Sequence, residues 1–146
     1  MKKRMCLVLT AFLVQFASAG YARDDIGDYS IEDALGLEQA KSITGSDVKF
    51  YFGNQPHGKV EKTFGQYKSN KKTNAFGKSA TTACQWAFLS AMQSLKERAI
   101  KEGGNAVINI KSNYRDVLTS NTKTFQCGAG GVIAGVALVG DVVKIK

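Results

Sequence analysis

The sequence is poor in the residues from which catalytic and metal centres are most often built. Its 146 residues include one histidine, one tryptophan and three cysteines. His57, in the turn-like Pro56-His57-Gly58, is the sole imidazole, so a His-based metal site or a Ser-His-Asp triad would rest on one turn residue. Carboxylates are also scarce, 12 against 20 Lys and Arg for a formal charge of +8. Beyond residue 47 they are Glu61, Glu97, Glu102, Asp116 and Asp141. No two of these have local support as an acid/base pair, and Glu97 precedes Lys101 by four residues, the spacing of a helix surface pair. There is no C-x-x-C, and no apolar run reaches the roughly 18 residues of a membrane span. The expectation is a protein without catalytic machinery, metal or cofactor. Asp116, Tyr114 and His57 are the weak candidates for an enzyme of unrecognised type.

The apolar run that is present stands at the N-terminus. Met1-Lys2-Lys3-Arg4 is a basic n-region, residues 6–16 are an apolar h-region, and Ala17-Ser18-Ala19-Gly20-Tyr21-Ala22 supplies small residues for cleavage after Ala19 or Ala22. This is the pattern of a secretory signal peptide, with no membrane span left after cleavage. Cys6 precedes the apolar region instead of ending it, which argues against a lipoprotein. The expected location is periplasmic or secreted, with residues 1–22 a signal peptide, 23–46 an acidic arm and 47–146 an α+β domain. The arm carries Asp24, Asp25, Asp28, Glu32, Asp33 and Glu38 against Arg23 and Lys41, and is expected either to be a solvated leader or to fold back over the basic body.

In the body, Val48–Phe52 and Val60–Tyr67 read as strands, and residues 69–74 as a polar loop. A helix is expected from about Thr81 to Glu102. Cys84, Phe88, Ala91, Leu95 and Ala99 form its apolar face, Ser79 or Thr81 caps its start, and Gly103-Gly104 ends it. Trp86 lies off that stripe. Ala106, Ile108 and Ile110 alternate along a further strand, residues 115–121 read as a polar connection, and Thr122–Cys127 and Val132–Ile145 are strand-like around the Gly128–Gly131 bend. The resulting fold class is α+β: a small, mostly antiparallel sheet of about four strands in the order β-β-α-β-β, with one long helix on one face. Export leaves Cys84 and Cys127, whose even count predicts a disulfide stapling helix to sheet.

Gly77-Lys78-Ser79 resembles the end of a phosphate-binding P-loop, but Lys72 stands where the first glycine belongs, so no nucleotide is expected. The densest functional signal is Lys59, Lys62, Lys68, Lys71, Lys72 and Lys78, interleaved with Phe64, Tyr67 and Phe76. A basic face with aromatics suits an anionic envelope component, such as a headgroup or an acidic glycan, while export excludes chromosomal DNA. The same lysines would also serve as a solubilising hairpin face. The alternative is an envelope-stress or structural protein acting through an envelope protein partner, or as an oligomer through an exposed last strand.

Asp47-Val-Lys-Phe-Tyr-Phe-Gly-Asn, Ala83-Cys-Gln-Trp-Ala-Phe-Leu-Ser-Ala, Gly103-Gly-Asn-Ala-Val-Ile-Asn-Ile and the stretch from Cys127 to Leu138 resemble a family of small exported bacterial proteins. These often carry a label taken from the ABC excinuclease, "excinuclease ATPase subunit". With neither a P-loop nor zinc-ligand cysteines, the chain does not fit the activity in that label. From Cys84 through Asn105-Ala106-Val107 to Cys127 it is also similar to the core of the YbjQ-like domain and of the Rcs envelope-stress sensor lipoprotein. That similarity implies a helix leading into a strand on a small sheet.

Overall fold

The computed structural model describes residues 25–146. The expected signal peptide, residues 1–22, and both expected cleavage positions lie outside the described residues. In chain order the elements are β1 (Asp25–Ser30), α1 (Ile31–Leu35), a 3-10 turn at Glu38–Ala40, α2 (Lys41–Thr44), β2 (Lys49–Phe52), β3 (Val60–Asn74), α3 (Ala80–Glu102), β4 (Ala106–Tyr114), β5 (Val117–Thr119), β6 (Thr124–Ala129) and β7 (Ile133–Ile145).

The apolar sequence of β7 reflects its place at the centre of the sheet, where both faces are covered and alternation is lost. One edge of β7 pairs along its length with β3, from Val60↔Ile145 to Asn74↔Ile133. Its other edge is shared: β4 takes the C-terminal part and β6 the N-terminal part, at Gly128↔Gly135 and Ala129↔Ala134. Outward from these lie β1 on β6, and β2 and β5 on β4. The last strand is therefore no exposed edge, and oligomerisation through it is ruled out by its own neighbours. The long open edge belongs to β3.

Helix α3 forms where expected. The Ser79 hydroxyl accepts from the Thr82 amide as N-cap, and Gly103 ends the helix in the left-handed conformation. The predicted face is fully buried: Cys84, Phe88, Ala91 and Ala99 are at 0% exposure and Leu95 at 1%. Phe88 stacks on Phe125 of β6 with ring centroids 4.1 Å apart and tilts against Phe52 of β2 at 6.0 Å. The Cys84–Cys127 disulfide joins this helix to β6 across the same interface.

The fold is α+β with one long helix and a disulfide, but the sheet has seven strands where about four were expected. The acidic arm supplies β1, which pairs antiparallel with β6 from Asp25↔Ala129 to Ser30↔Thr124. Its few apolar residues suffice to anchor it: Ile31, Ala34, Ala40 and Ile43 are buried in the main core. Residues 25–44 are thus part of the sheet and core and not a solvated leader. Glu38 pairs with its own neighbour Lys41, and Ser30 caps α1 by accepting from the Asp33 amide.

The segment expected to be a polar connection holds the short β5, closed onto β4 through Arg115 and Asp116, both at positive φ (53° and 60°) as a two-residue primed turn requires. The expected polar loop at 69–74 is the second half of β3. Its side chains are polar because an edge strand needs little apolar surface. Pairing is mostly antiparallel, with β2 parallel to β4. In β4 the register shifts between Ile108 and Lys111, where Asn109 adopts a φ of 53°. Ala106 and Ile108 consequently pack with Val143 and Ile145 on one face, while Val107 and Ile110 join the helix-side core, so the expected simple alternation of 106, 108 and 110 is broken by the bulge.

Candidate functional site

The six lysines of the sequence signal are distributed by β3 along its length and over both faces. Lys59 and Lys62 lie at the end that pairs with Ile145 and Lys144, and Lys62 sits over the Phe64 ring with its Nζ 4.9 Å from the centroid. Lys72, paired with Gly135, is about 40 Å of strand away from Val60. Phe64 and Tyr67 are part-buried against the main core instead of standing free as stacking platforms, and Tyr67 is covered by the Arg98 guanidinium at 4.8 Å. The structure therefore gathers Lys68, Lys71, Lys72 and Lys78 at one end and leaves Lys59, Lys62, Phe64 and Tyr67 apart from them.

At that end two concave surfaces lie on opposite sides of β3. On the helix side, a groove of about 640 Å³ runs between α2, α3 and β3, lined by Ser42, Lys71, Thr73, Trp86, Ser90 and Gln93 among others. Trp86 is 42% exposed and carries Lys78 over its ring, Nζ 4.9 Å from the centroid, while the same ammonium donates to the Asn74 carbonyl at 2.9 Å. On the outer side, a trough of about 640 Å³ is floored by Gly128, Gly130 and Gly135 and walled by Asn70 and Lys72 on one flank and Tyr114 and Arg115 on the other. The Tyr114 ring lies against Gly128, where any Cβ would overlap it, so glycine is required there by close approach. Arg115 in turn stacks on Tyr114 at 5.5 Å. Lys68 stands beside this trough, 4.0 Å from Asp116, in a pair so exposed that it contributes little.

Sequence reasoning found the lysines but missed the trough. Gly128 and Gly135 fall on opposite strands of a hairpin, and only their pairing makes a common floor. The signal for it was the glycine-rich stretch itself, read as a bend. Trp86, off the helix's apolar stripe, marked the groove.

The weak catalytic candidates are not assembled. His57 is exposed at the Ile145 end, with Nδ1 2.7 Å from the Gly58 carbonyl and its ring edge-on to Tyr51, whereas Tyr114 and Asp116 lie at the opposite end, toward the glycines. Asp141 accepts from the Gln66 and Asn109 side-chain amides, a structural tie between three strands. Gly77-Lys78-Ser79 is a turn and helix cap, with its lysine on Trp86. Among the described residues no group of three or more His, Cys, Asp and Glu could hold a metal, and no helix is long and apolar enough to cross a membrane.

Tyr67 has a perturbed titration. Its phenol is held above its usual range, first by desolvation and then by the Glu102 carboxylate to which it donates, with Arg98 pulling the other way. A folded pKa above the unfolded value means that the native state holds this proton longer. The stabilisation is therefore complete below about pH 10 and is lost as pH rises beyond it. In Tyr67→Phe, the alkaline limb of a stability–pH profile is expected to flatten above about pH 10, with the profile near neutrality keeping its shape.

No protein-family model matches the chain, and no curated protein matches it significantly.

Proposed function

We propose that this protein is an exported, non-catalytic binding module that holds an anionic component of the cell envelope at the sheet end carrying Lys68, Lys71, Lys72 and Lys78. The observation that carries the reading is a one-sided charge distribution. From Lys62 to Lys96 the chain has six lysines and no Asp or Glu, and residues 117–140, which include the first part of the paired strand as far as Gly140, also lack carboxylates, the strand's Asp141 standing opposite Gln66. The carboxylates nearest the four lysines are Asp116, 4.0 Å from Lys68, and Glu97, which lines the groove with Lys71 and Lys72. The lysines outnumber them, and their lack of forked guanidinium geometry favours a diffuse anionic surface over one bidentate phosphate. The resemblance to exported small-sheet proteins supports the same compartment, as does a buried disulfide.

Replacing Lys68, Lys71 and Lys72 by Glu is expected to lower association with isolated envelope fractions at least about 100-fold, at roughly 1 kcal/mol per lysine near an anionic surface. Binding by the unaltered protein should weaken as added salt shortens the Debye length below about 8 Å. Undiminished association of the triple variant would overturn the proposal.

A second reading, action through a protein partner or an oligomer, is favoured by one feature: β3 pairs only with β7 among the described strands, leaving a 15-residue open edge onto which a partner strand could add. Light scattering and crosslinking separate the readings, since a defined oligomer or a protein adduct at β3 favours the second.

A further inference from the structure

The same end of the molecule carries exposed apolar side chains that the lysines alone do not explain. Phe76 is 74% exposed, Val132 63% and Ile133 54%, and together with Lys72 they line one shallow depression of about 530 Å³. They come from two turns held side by side. In the first, Lys78 donates its amide to the Ala75 carbonyl at 3.1 Å, with Gly77 at a φ of +72° in the third position and the Phe76 amide donating to Asn74 Oδ1 at 2.8 Å. In the second, the Gly130 amide donates to the Ile133 carbonyl at 2.8 Å. The Ala75 amide, donating to the Val132 carbonyl at 2.7 Å, ties the two together. The apolar groups are thus displayed on hydrogen-bonded backbone, and little ordering is needed when they dock.

We infer that this tip inserts Phe76, Val132 and Ile133 into the headgroup region of an anionic phospholipid bilayer, with Lys72 and Lys78 pairing with the lipid phosphates around it. The inference rests on the proposed anion-binding reading and names its ligand. Apolar side chains flanked by lysine, here Lys72 and Lys78, are the composition of an interfacial anchor, in which buried apolar area and attraction to anionic lipid add. The nearby carboxylates stand back from the tip. Asp116 sits by Lys68, four residues or about 13 Å along β3 from Lys72. Asp25 lies opposite Ala129 on β1, two strand spacings or about 10 Å from the β7 end that carries Ile133. A second copy of the tip is disfavoured as occupant, because two such tips would bring lysine against lysine. A flat anionic surface meets the apolar turns and the lysines at once.

The test is co-sedimentation of the oxidised protein with vesicles of phosphatidylglycerol and phosphatidylcholine, against vesicles of phosphatidylcholine alone, with dextran sulfate as a soluble polyanion. The protein is expected to bind the anionic vesicles selectively. Phe76→Ser with Ile133→Ser should weaken vesicle binding about tenfold or more while leaving melting and dextran sulfate binding unchanged. Since both positions are exposed, the fold should be retained. In a Trp86→Phe background, Phe76→Trp should show a blue shift on anionic vesicles and quenching by brominated acyl chains. Vesicle binding unaffected by the double serine variant, or a Trp at position 76 left unquenched, overturns the insertion while the anion-binding reading stands. Failure to bind either vesicles or dextran sulfate removes both. Phe76-dependent capture of a protein without any vesicle binding overturns the lipid assignment in favour of a protein partner.

Discussion

Replacing Cys84 and Cys127 together by Ala lowers the unfolding free energy by about 4 kcal/mol and the melting temperature by about 15 °C. The two cysteines are 43 residues apart, and in the chain-entropy treatment closing a loop of that length removes roughly this much freedom from the unfolded chain. The loop holds most of α3, all of β4 and β5, and the start of β6. Both cysteines are fully buried, so the bond should resist mild reductant in the native protein and break quickly once the chain is unfolded. Melting followed by circular dichroism, with and without reductant added after prior unfolding, measures the difference. An unchanged melting curve for the double alanine variant would show that the bridge contributes nothing to stability.

The second large effect is expected at Phe88. It is wholly buried, stacks on Phe125 and contacts Phe52, so it joins α3 to strands on both sides of the sheet's centre. Truncation to Ala removes the buried ring and leaves a cavity that neighbours held in strands cannot collapse into, at a cost of about 3–5 kcal/mol. Phe88→Leu, which refills much of the volume, should recover more than half of the loss. Urea unfolding of the two variants tests this, and a loss below about 1 kcal/mol for Phe88→Ala would mean that the aromatic stack is not a principal support of the core. Its proximity to the disulfide predicts that the Phe88 and cysteine changes will not simply add.

Much of the architecture was legible because one helix carries a clean period. Cys84, Phe88, Ala91, Leu95 and Ala99 repeat at helical spacing, and Ser79 and Gly103 mark the ends with groups whose local hydrogen bonds are unambiguous. The strands were harder, for reasons that lie in each case with partners distant in sequence. β1 has only small or polar residues apart from Ile26 and Tyr29, and becomes a strand because β6 presents a free edge to it. Residues 69–74 look like a loop by composition, and are held extended by the long β7 alongside β3. At Asn109 a single left-handed residue reverses the facing of everything beyond it, which no alternation pattern can register in advance.

The site shows the same division. Lys71 and Lys72 are adjacent in sequence and both line the groove beside Trp86, but only Lys72 also lies against Gly135 of the glycine floor. A sequence-level reading of six lysines as one patch therefore spreads the charge too far along the chain and overlooks the strand's two-sidedness. What the composition did carry was the absence of carboxylates from 62 to 96, to which folding adds Asp116 beside Lys68 and Glu97 in the groove that Lys71 and Lys72 line.

The position of β7 has a consequence for how the molecule comes into being. The strand that joins β3, β4 and β6 is formed by residues 133–145, so the earlier strands have no central partner until those residues have been synthesised. Its main pairing links Val60 to Ile145 across most of the domain, the kind of distant closure that folds slowly. A nascent chain of this design keeps its sheet open until residues 133–145 are present, and closes it then. Such late closure also brings Cys84 and Cys127 into lasting register only at that stage.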